Sequence, residues 1–169
     1  PQYVCFNRPL ADHFASTAGH GGMVCTFHAL REAVMRASGE TPDFSREGAF
    51  TALVDRAGEL PVPESLMFDT MIVDEGQDFN DLWRDMVLRH LRPDARAIWL
   101  EDPLQNLYAR PTVSLPDWVT MRSMANFRSP REVVRLLQPL LGDAYPIEPL
   151  SPFQTGEVEF LTSTDATDM

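Results

Sequence analysis

The sequence contains no lysine, and all 14 of its basic residues are arginines. A phosphate-binding loop of the Gly-Lys-Ser/Thr type is therefore excluded from these 169 residues, because its lysine has to reach the β- and γ-phosphates of a nucleotide. Cysteine is also scarce, since only Cys5 and Cys25 occur, each in an apolar, strand-like run. Such a pair is typical of small buried side chains rather than of a disulfide framework, which favours a reducing, cytoplasmic setting.

An excess of basic charge, long apolar runs and metal-ligand histidine spacings are missing as well. The formal net charge of −11 excludes a broad basic surface for nucleic acid, although it is compatible with a local groove. No apolar run reaches the roughly 20 residues of a membrane-spanning helix. The N-terminus lacks the pattern of a signal peptide, so we expect no membrane contact. The four histidines show no spacing typical of a metal site.

What the sequence does contain is an alternation of short apolar runs and segments of helical periodicity. Several of the apolar runs are continuous, as in strands that are buried on both faces. The pattern predicts an α/β fold, with a parallel sheet and helices on both of its faces. Strands are predicted at residues 3–7, 23–27, 68–75, 95–102 and, with a less regular pattern, 119–124, and helices at 8–18, 28–38, 79–91 and 130–141.

Two segments depart from this alternation. Residues 40–66 are more polar and predict an insertion with one helix, which Ser45 would cap and which would end near Ala57. Residues 143–169 are rich in proline and predict an extended tail, with one strand candidate at 156–160. We therefore expect one domain over residues 1–142, followed by the tail.

The stretch "MIVDEGQDF", residues 71–79, ends an apolar strand in two adjacent carboxylates, Asp74 and Glu75. In a parallel α/β sheet, ligands bind beyond the carboxyl ends of the strands. There, one acid can hold Mg²⁺ through its water shell while the other orients or deprotonates an attacking water. The alternative is a solvated strand end, with Asp78 acting only as the N-cap of the helix that follows.

Two further segments place polar side chains after predicted strands. "WLEDPLQNLY" puts Gln105 at a turn after an acid, where a neutral amide can hydrogen-bond a terminal phosphate. "ANFRSP" puts Arg128 just before a helix, where it can neutralise charge on a transferred phosphoryl group. Taken singly, Gln105 is equally compatible with a plain turn residue, and Arg128 with a surface ion pair.

In this order, the segments resemble the motifs of UvrD/Rep-type superfamily-one DNA helicases. "VDEGQDF" is similar to the family's Walker B segment, "LEDPLQNLY" to the motif that follows it, and "NFRSP" to the motif with Asn-Tyr-Arg-Ser. Upstream, "YVCFNRPLA" and "VCTFHAL" resemble the two segments that contact single-stranded DNA. The resemblance covers about residues 3–135 and implies a partial RecA-like motor domain of the P-loop NTPase class. The 40–66 insertion stands where the family carries an accessory subdomain.

The resemblance also implies a role for each matching residue. Asp74 would hold the Mg²⁺ of Mg-ATP through water, and Glu75 would be the catalytic base. Gln105 would contact the γ-phosphate and Arg128 would stabilise the transition state, so that all four side chains belong to the nucleotide site. The residues implied along a single-stranded DNA groove are Asn7, Arg8, Thr26, Phe27, His28 and Tyr108.

For some of these residues a structural role is the alternative. Phe27 is compatible with a core ring, His28 with a residue of a helix N-terminus, and Tyr108 with cover for the end of the sheet. After Tyr108, the family often continues with an aromatic and Arg-Gly-Ala, where this sequence has "YARPTV". Base stacking by Tyr108 therefore has less support than the nucleotide roles.

The family's lysine-bearing phosphate loop would precede Pro1, and its later motifs would follow Met169. The chain therefore resembles a central fragment of the first motor domain, and we expect it to be inactive alone. Its partners would be single-stranded DNA and the rest of the parent chain, which would supply the phosphate loop and the second motor domain.

Three functions are compatible with these residues. The first is an ATP-dependent 3′→5′ helicase or translocase, with the direction taken from the family alone. The second is a catalytically dead DNA- or protein-binding module on the same fold, if the parent chain has lost the loop lysine. The third, a metal-dependent phosphohydrolase, accounts for neither Gln105 nor Arg128; its acids would be Asp74, Glu75, Asp78 and Asp102.

Overall fold

A computed structural model of the chain describes residues 1–17, 22–106 and 109–153. The chain forms two compact units, residues 1–116 and residues 117–169. The sequence led us to expect a boundary after residue 142, whereas the boundary between the two units lies after residue 116. The predicted strand at 156–160 lies outside the described residues.

The first unit alternates strands and helices, as the sequence pattern predicts. None of the helices in the described residues combines the length and the apolar content that a bilayer crossing requires. Short 3-10 turns occupy Glu64–Leu66, Gly76–Asp78 and Pro103–Gln105. The strands are Gln2–Cys5 (β1), Met23–Thr26 (β2), Phe68–Val73 (β3) and Leu91–Trp99 (β4). The helices are Arg8–Thr17 (α1), Phe27–Ala37 (α2), Ala49–Glu59 (α3) and Asp81–Leu88 (α4).

The four strands of the first unit form one sheet in the order β2-β1-β3-β4, and every pair is parallel. The prediction of an α/β fold with a parallel sheet is therefore confirmed. The two central strands, β1 and β3, contribute Val4, Met71 and Val73 to the buried core. This explains why both strands are apolar at consecutive positions, since a strand covered on both faces buries both sets of side chains.

The helix of the insertion, α3, packs on α2 through a separate apolar cluster, and its Val54 belongs to the main core. Val34 and Met35 of α2 pack against Leu53 and Ala57 of α3. Each fully buried Val, Leu or Met side chain contributes about 1.5–3 kcal/mol relative to exposure. The single helix predicted within residues 40–66 is confirmed, and these contacts give the reason for its orientation.

Two predicted helix caps are wrong. Ser45 does not cap α3, because its N–H and hydroxyl donate to the carboxylate of Asp43 at 3.0 and 2.6 Å, and Gly48 occupies the cap position. Asp78 does not cap α4, because it ends a 3-10 turn; the side chain of Asn80 instead accepts a first-turn N–H at 2.8 Å. In both cases several polar residues compete within a few positions, and propensity alone does not choose among them.

In the second unit, the strand predicted at residues 119–124 is wrong. These residues have no regular structure, and Val119 and Met121 are each 91% exposed. The described strands of this unit form a two-stranded parallel sheet, so pairing begins only at residue 125. The helix predicted at 130–141 is confirmed to within one residue. The elements are Ala125–Asn126 (β5), Arg131–Leu141 (α5) and Glu148–Pro149 (β6).

Candidate active site

The carboxyl ends of all four strands in the first unit lie at one edge of the sheet. Cys5 of β1 pairs with Thr26 of β2, while Val73 of β3 pairs with Val4 of β1 and with Trp99 of β4. Since the strands are parallel and share this register, the segments that follow them leave from the same carboxyl edge. Those segments begin with residues 6–8, 27–28, 74–75 and 100–102.

Asp74 follows β3 directly and is half-buried at this edge. Its N–H donates to the carbonyl of Val4 at 2.9 Å, which continues the pairing of β3 with β1. Its Oδ1 accepts the N–H of Glu75 at 2.9 Å, and its Oδ2 accepts the hydroxyl of Tyr3. Burial, followed by the hydrogen bond to Asp74, raises the pKa of Tyr3, so the phenol remains a donor. The carboxylate of Asp74 is therefore held in one orientation by groups on two strands.

Glu75 has a left-handed backbone conformation, with φ 54° and ψ 44°. A residue with a Cβ pays about 1–2 kcal/mol for this conformation, so neighbouring contacts have to maintain it. The next N–H, of Gly76, donates to the carbonyl of Leu100 at 2.8 Å, which ties the turn to the end of β4. Gly76 is also required by space, because a Cβ at this position would overlap the indole of Trp99.

Gln77 is buried between the ends of β3 and β4. Its Nε2 donates to Oε2 of Glu75 at 2.6 Å, and its Oε1 accepts the N–H of Asp102 at 3.0 Å. Both ends of the side-chain amide are thus used by partners that belong to different strand ends. Through Gln77, the acid pair and the turn after β4 form one hydrogen-bonded network.

Gln105 lies in the 3-10 turn after β4 and is exposed. Its Nε2 donates to Oδ2 of Asp102 at 2.7 Å, while Oδ1 of Asp102 accepts the N–H of Leu104 at 3.0 Å. The structure therefore brings Asp74, Glu75 and Gln105 to one edge and connects them through Gln77 and Asp102. The amide of Gln105 is engaged by Asp102, so it would have to exchange that bond for one to a phosphate.

The donor set of this edge bears on the Mg²⁺ that the sequence motifs imply. Within the described residues, no three His, Cys, Asp or Glu side chains are grouped as metal ligands. Mg²⁺ in nucleotide sites, however, takes only one or two carboxylates and completes its shell with water and phosphate oxygens. A single oriented carboxylate such as Asp74 fits that requirement. Within the described residues, the acids named for the phosphohydrolase alternative form no such group.

The residues implied along a DNA groove differ in accessibility. Asn7 and Arg8 are exposed at the end of β1, and among the described residues the side chain of Arg8 pairs with the exposed Asp12 at 3.8 Å. Thr26 is the N-cap of α2, where its hydroxyl oxygen accepts the N–H of Ala29 at 3.1 Å. Asn7 and Arg8 are therefore available to a ligand, whereas the side chain of Thr26 has a structural task. Tyr108 lies outside the described residues.

The expectation that Phe27 lies along a DNA groove needs correction. Its ring is fully buried and stacks on Trp83 with ring centroids 4.5 Å apart, so it is a core residue. The neighbouring His28 is half-buried and meets the rings of Trp83 and Phe50 edge-on, at 5.4 and 5.1 Å. Burial lowers the pKa of His28, and Arg110 lowers it further. His28 borders a cavity of about 370 Å³ that Phe50 and Trp83 also line.

Arg128 belongs to the second unit and is described within that unit. It is exposed just before α5, and its N–H donates to Oδ1 of Asn126 at 3.1 Å. The same oxygen accepts the N–H of Ser129 at 2.7 Å. Asn126 thereby fixes the backbone of the "NFRS" turn and leaves the guanidinium of Arg128 exposed.

Sequence reasoning missed two residues that organise the site, Tyr3 and Gln77. Tyr3 lies in an apolar strand, 71 positions from Asp74, and only the parallel register of β1 and β3 brings the two together. Gln77 stood in the quoted motif, between the acid pair and Asp78, but its role depends on a backbone N–H beyond the next strand. No local pattern marks Gln77, because Asp74, Glu75 and Asp78 beside it are polar as well.

Comparisons with protein-family models, with curated proteins and with solved structures find no match to this chain.

Proposed function

We propose that this chain is the central part of the first, RecA-like motor domain of an ATP-dependent DNA helicase or translocase of the UvrD/Rep type. The observation that carries the proposal is the acid pair Asp74-Glu75 at the carboxyl edge of a parallel sheet, connected to the turn that holds Gln105. The order of the sequence motifs supports the same conclusion. The proposed work is 3′→5′ movement along single-stranded DNA, coupled to ATP hydrolysis and strand separation.

In this proposal, the two acids divide the chemistry. Asp74 would hold Mg²⁺ through its water shell, and the bound ion would offset negative charge on the nucleotide phosphates. Glu75 accepts the proton of the attacking water, with its carboxylate held by Nε2 of Gln77 at 2.6 Å. Gln105 exchanges its bond to Asp102 for one to the γ-phosphate, and Arg128 offsets the charge that develops during transfer.

The phosphate cradle has to come from another part of the parent polypeptide, because the chain lacks lysine. Within the described sheet, β4 is paired on one side only. A parallel strand added there would end at the same carboxyl edge, so the loop after it would lie next to the turn that carries Gln105. The open side of β4 is therefore the place that we propose for the strand before the phosphate loop.

The absence of lysine from these 169 residues is equally compatible with a second candidate function. If the parent polypeptide lacks a lysine-bearing loop, the fold would serve as a DNA- or protein-binding module without turnover. The exposed Arg8 and the aromatic side chains around His28 would then be its binding surface. ATP turnover separates the two candidates directly.

The experiment is ATP hydrolysis by the parent polypeptide, with and without single-stranded DNA, beside the isolated 169-residue chain. We expect DNA-stimulated turnover by the parent and none by the isolated chain, since half of the phosphate cradle is missing from it. An Arg8→Ala variant should reduce the stimulation by DNA while leaving turnover without DNA unchanged. A parent that binds DNA and hydrolyses no ATP would contradict the motor and leave the binding module.

A further inference from the structure

The side-chain amide of Gln77 connects the end of β3 to the end of β4. It is only 7% exposed, so its hydrogen bonds do not compete with bulk water. Its Nε2 contacts Oε2 of Glu75 at 2.6 Å, and its Oε1 contacts the N–H of Asp102 at 3.0 Å. A buried amide that uses its donor and its acceptor in this way fixes the separation of its two partners.

Each partner of Gln77 is itself constrained. Glu75 is in a left-handed conformation that depends on surrounding contacts, so a small displacement of Gln77 changes the direction of its carboxylate. Asp102 holds the side chain of Gln105 through its Oδ2 at 2.7 Å. A continuous series of hydrogen bonds therefore runs from Gln105 through Asp102 and Gln77 to Glu75.

We infer that Gln77 is a positioning residue that couples the turn of Gln105 to the carboxylate of Glu75. This inference rests on the proposed function, because it assigns Glu75 the task of activating water and Gln105 the contact to phosphate. When Gln105 leaves Asp102 for a phosphate, the turn shifts and the N–H of Asp102 moves with it. Gln77 passes that shift to Glu75, so the base is correctly placed only when the phosphate contact is made.

The test uses Gln77→Met in the parent polypeptide, because methionine preserves the length and volume of the side chain and removes both hydrogen bonds. We expect kcat for ATP to fall at least about tenfold, with KM little changed, since a misplaced base affects the chemical step rather than binding. The matched control is Gln138→Met in the second unit. Gln138 also bonds through both ends of its amide, to the carbonyl of Gly142 and the N–H of Ile147. We expect this control to leave kcat unchanged.

A double-mutant cycle tests the coupling itself. If the effect of Gln77 passes through the turn, Gln105→Ala should cost much less in the Gln77→Met background than in the wild type. A purely structural role for Gln77 would give two independent effects that multiply. Additive free-energy changes in this cycle, or an unchanged kcat in Gln77→Met, would overturn the inference while the proposed function stands.

Hydrogen exchange on the isolated chain gives a readout that does not depend on turnover. The amide of Asp102 should exchange at least about tenfold faster in Gln77→Met than in the wild type, while the amide of Ile147 is unchanged. A parent without ATP turnover would contradict the proposed function, and with it the catalytic meaning of the coupling. If the exchange rate of the Asp102 amide is the same in Gln77→Met and the wild type, Gln77 does not connect the two strand ends. This conclusion would not depend on the ATP turnover of the parent.

Discussion

The two edges of the sheet in the first unit both contain buried polar side chains, but they use them differently. At the carboxyl edge, Gln77 orients the carboxylate of Glu75 and Tyr3 orients that of Asp74, and both half-buried carboxylates stay within reach of solvent. At the amino edge, where β3 and β4 begin, Arg31 and His90 are 0% exposed and contact each other. The acids at one edge are therefore partly accessible, while the polar pair at the other edge is enclosed.

The amino edge shows what a structural polar pair requires. Nδ1 of His90 lies 2.7 Å from the carbonyl oxygen of Leu66 and donates to it, so Nε2 is left to accept from Arg31. This arrangement needs a neutral imidazole. Burial lowers the pKa of Arg31 to about 10, and two of its nitrogens have no hydrogen-bond partner in the described residues. Neither Arg31 nor His90 is accessible to a substrate, which assigns the pair to stability.

The largest expected effect on stability is the response of the amino edge to acid. Burial, followed by the charge of Arg31, lowers the pKa of His90 to about 4, below its ordinary value near 6.5. Between these values the unfolded chain binds the proton and the folded chain does not, so stability falls as pH falls through this window. The loss is on the order of 3 kcal/mol by pH 4, measured by urea unfolding at several pH values.

The comparison that isolates His90 uses His90→Met and the exposed-site control His13→Gln. The difference in unfolding free energy between the wild type and His90→Met should shrink steadily from pH 7 to pH 4. The control should follow the wild type at every pH. A wild type and a His90→Met variant with parallel pH profiles would show that His90 is not enclosed as a neutral ring.

A smaller expected effect comes from Gly76→Ala at the carboxyl edge. The added Cβ overlaps the indole of Trp99, so the turn after Glu75 has to shift, at a cost of about 1–3 kcal/mol. Gly22→Ala is the matched control, because its Cβ would meet Pro1 only at an ordinary 3.4 Å. Thermal unfolding of both variants measures the difference. Equal stability of the two would show that Trp99 yields freely and does not hold the turn.

The smallest expected effect is that of Tyr3→Phe, which removes the phenol that donates to Asp74. The variant should lose about 0.5–1.5 kcal/mol of stability, since water can replace the donor at a half-buried carboxylate. Binding of Mg-nucleotide by the parent polypeptide should weaken severalfold, because Asp74 is no longer held in one orientation. Tyr145→Phe in the second unit serves as the control in both measurements. Unchanged nucleotide binding in Tyr3→Phe would limit the hydroxyl to a structural role.

The contrast between the edges also explains what the sequence could predict. The apolar runs and their polar ends are local signals, so the strand before Asp74-Glu75 and the turn of Gln105 were predictable. Tyr3 and Gln77 act through contacts between strands that are distant in sequence, and only the register supplies those. The strand predicted at 119–124 failed for a related reason, because apolar residues form a strand only where a partner strand is available.

The enclosed pair at the amino edge was not predictable at all. Arg31 lies on α2, whose mixed charged and apolar sequence is typical of a surface helix. His90 lies between a helix and a strand. Nothing in the neighbouring residues indicates that Arg31 or His90 is buried. The two residues are 59 positions apart, so their contact depends on the tertiary fold. The caps predicted at Ser45 and Asp78 were wrong in a narrower sense, since both helices were predicted and only the capping residues, Gly48 and Asn80, differ.

The central claim, that the acid pair at the carboxyl edge is catalytic, is tested most directly by one comparison of ATP turnover. Glu75→Gln and Glu101→Gln in the parent polypeptide remove one carboxylate each, at the ends of neighbouring strands, with nearly no change in shape. The account predicts that DNA-stimulated turnover falls by about 10²–10⁴-fold in Glu75→Gln and stays near the wild-type rate in Glu101→Gln. Equal turnover in the two variants, with a wild type that is active, would contradict it.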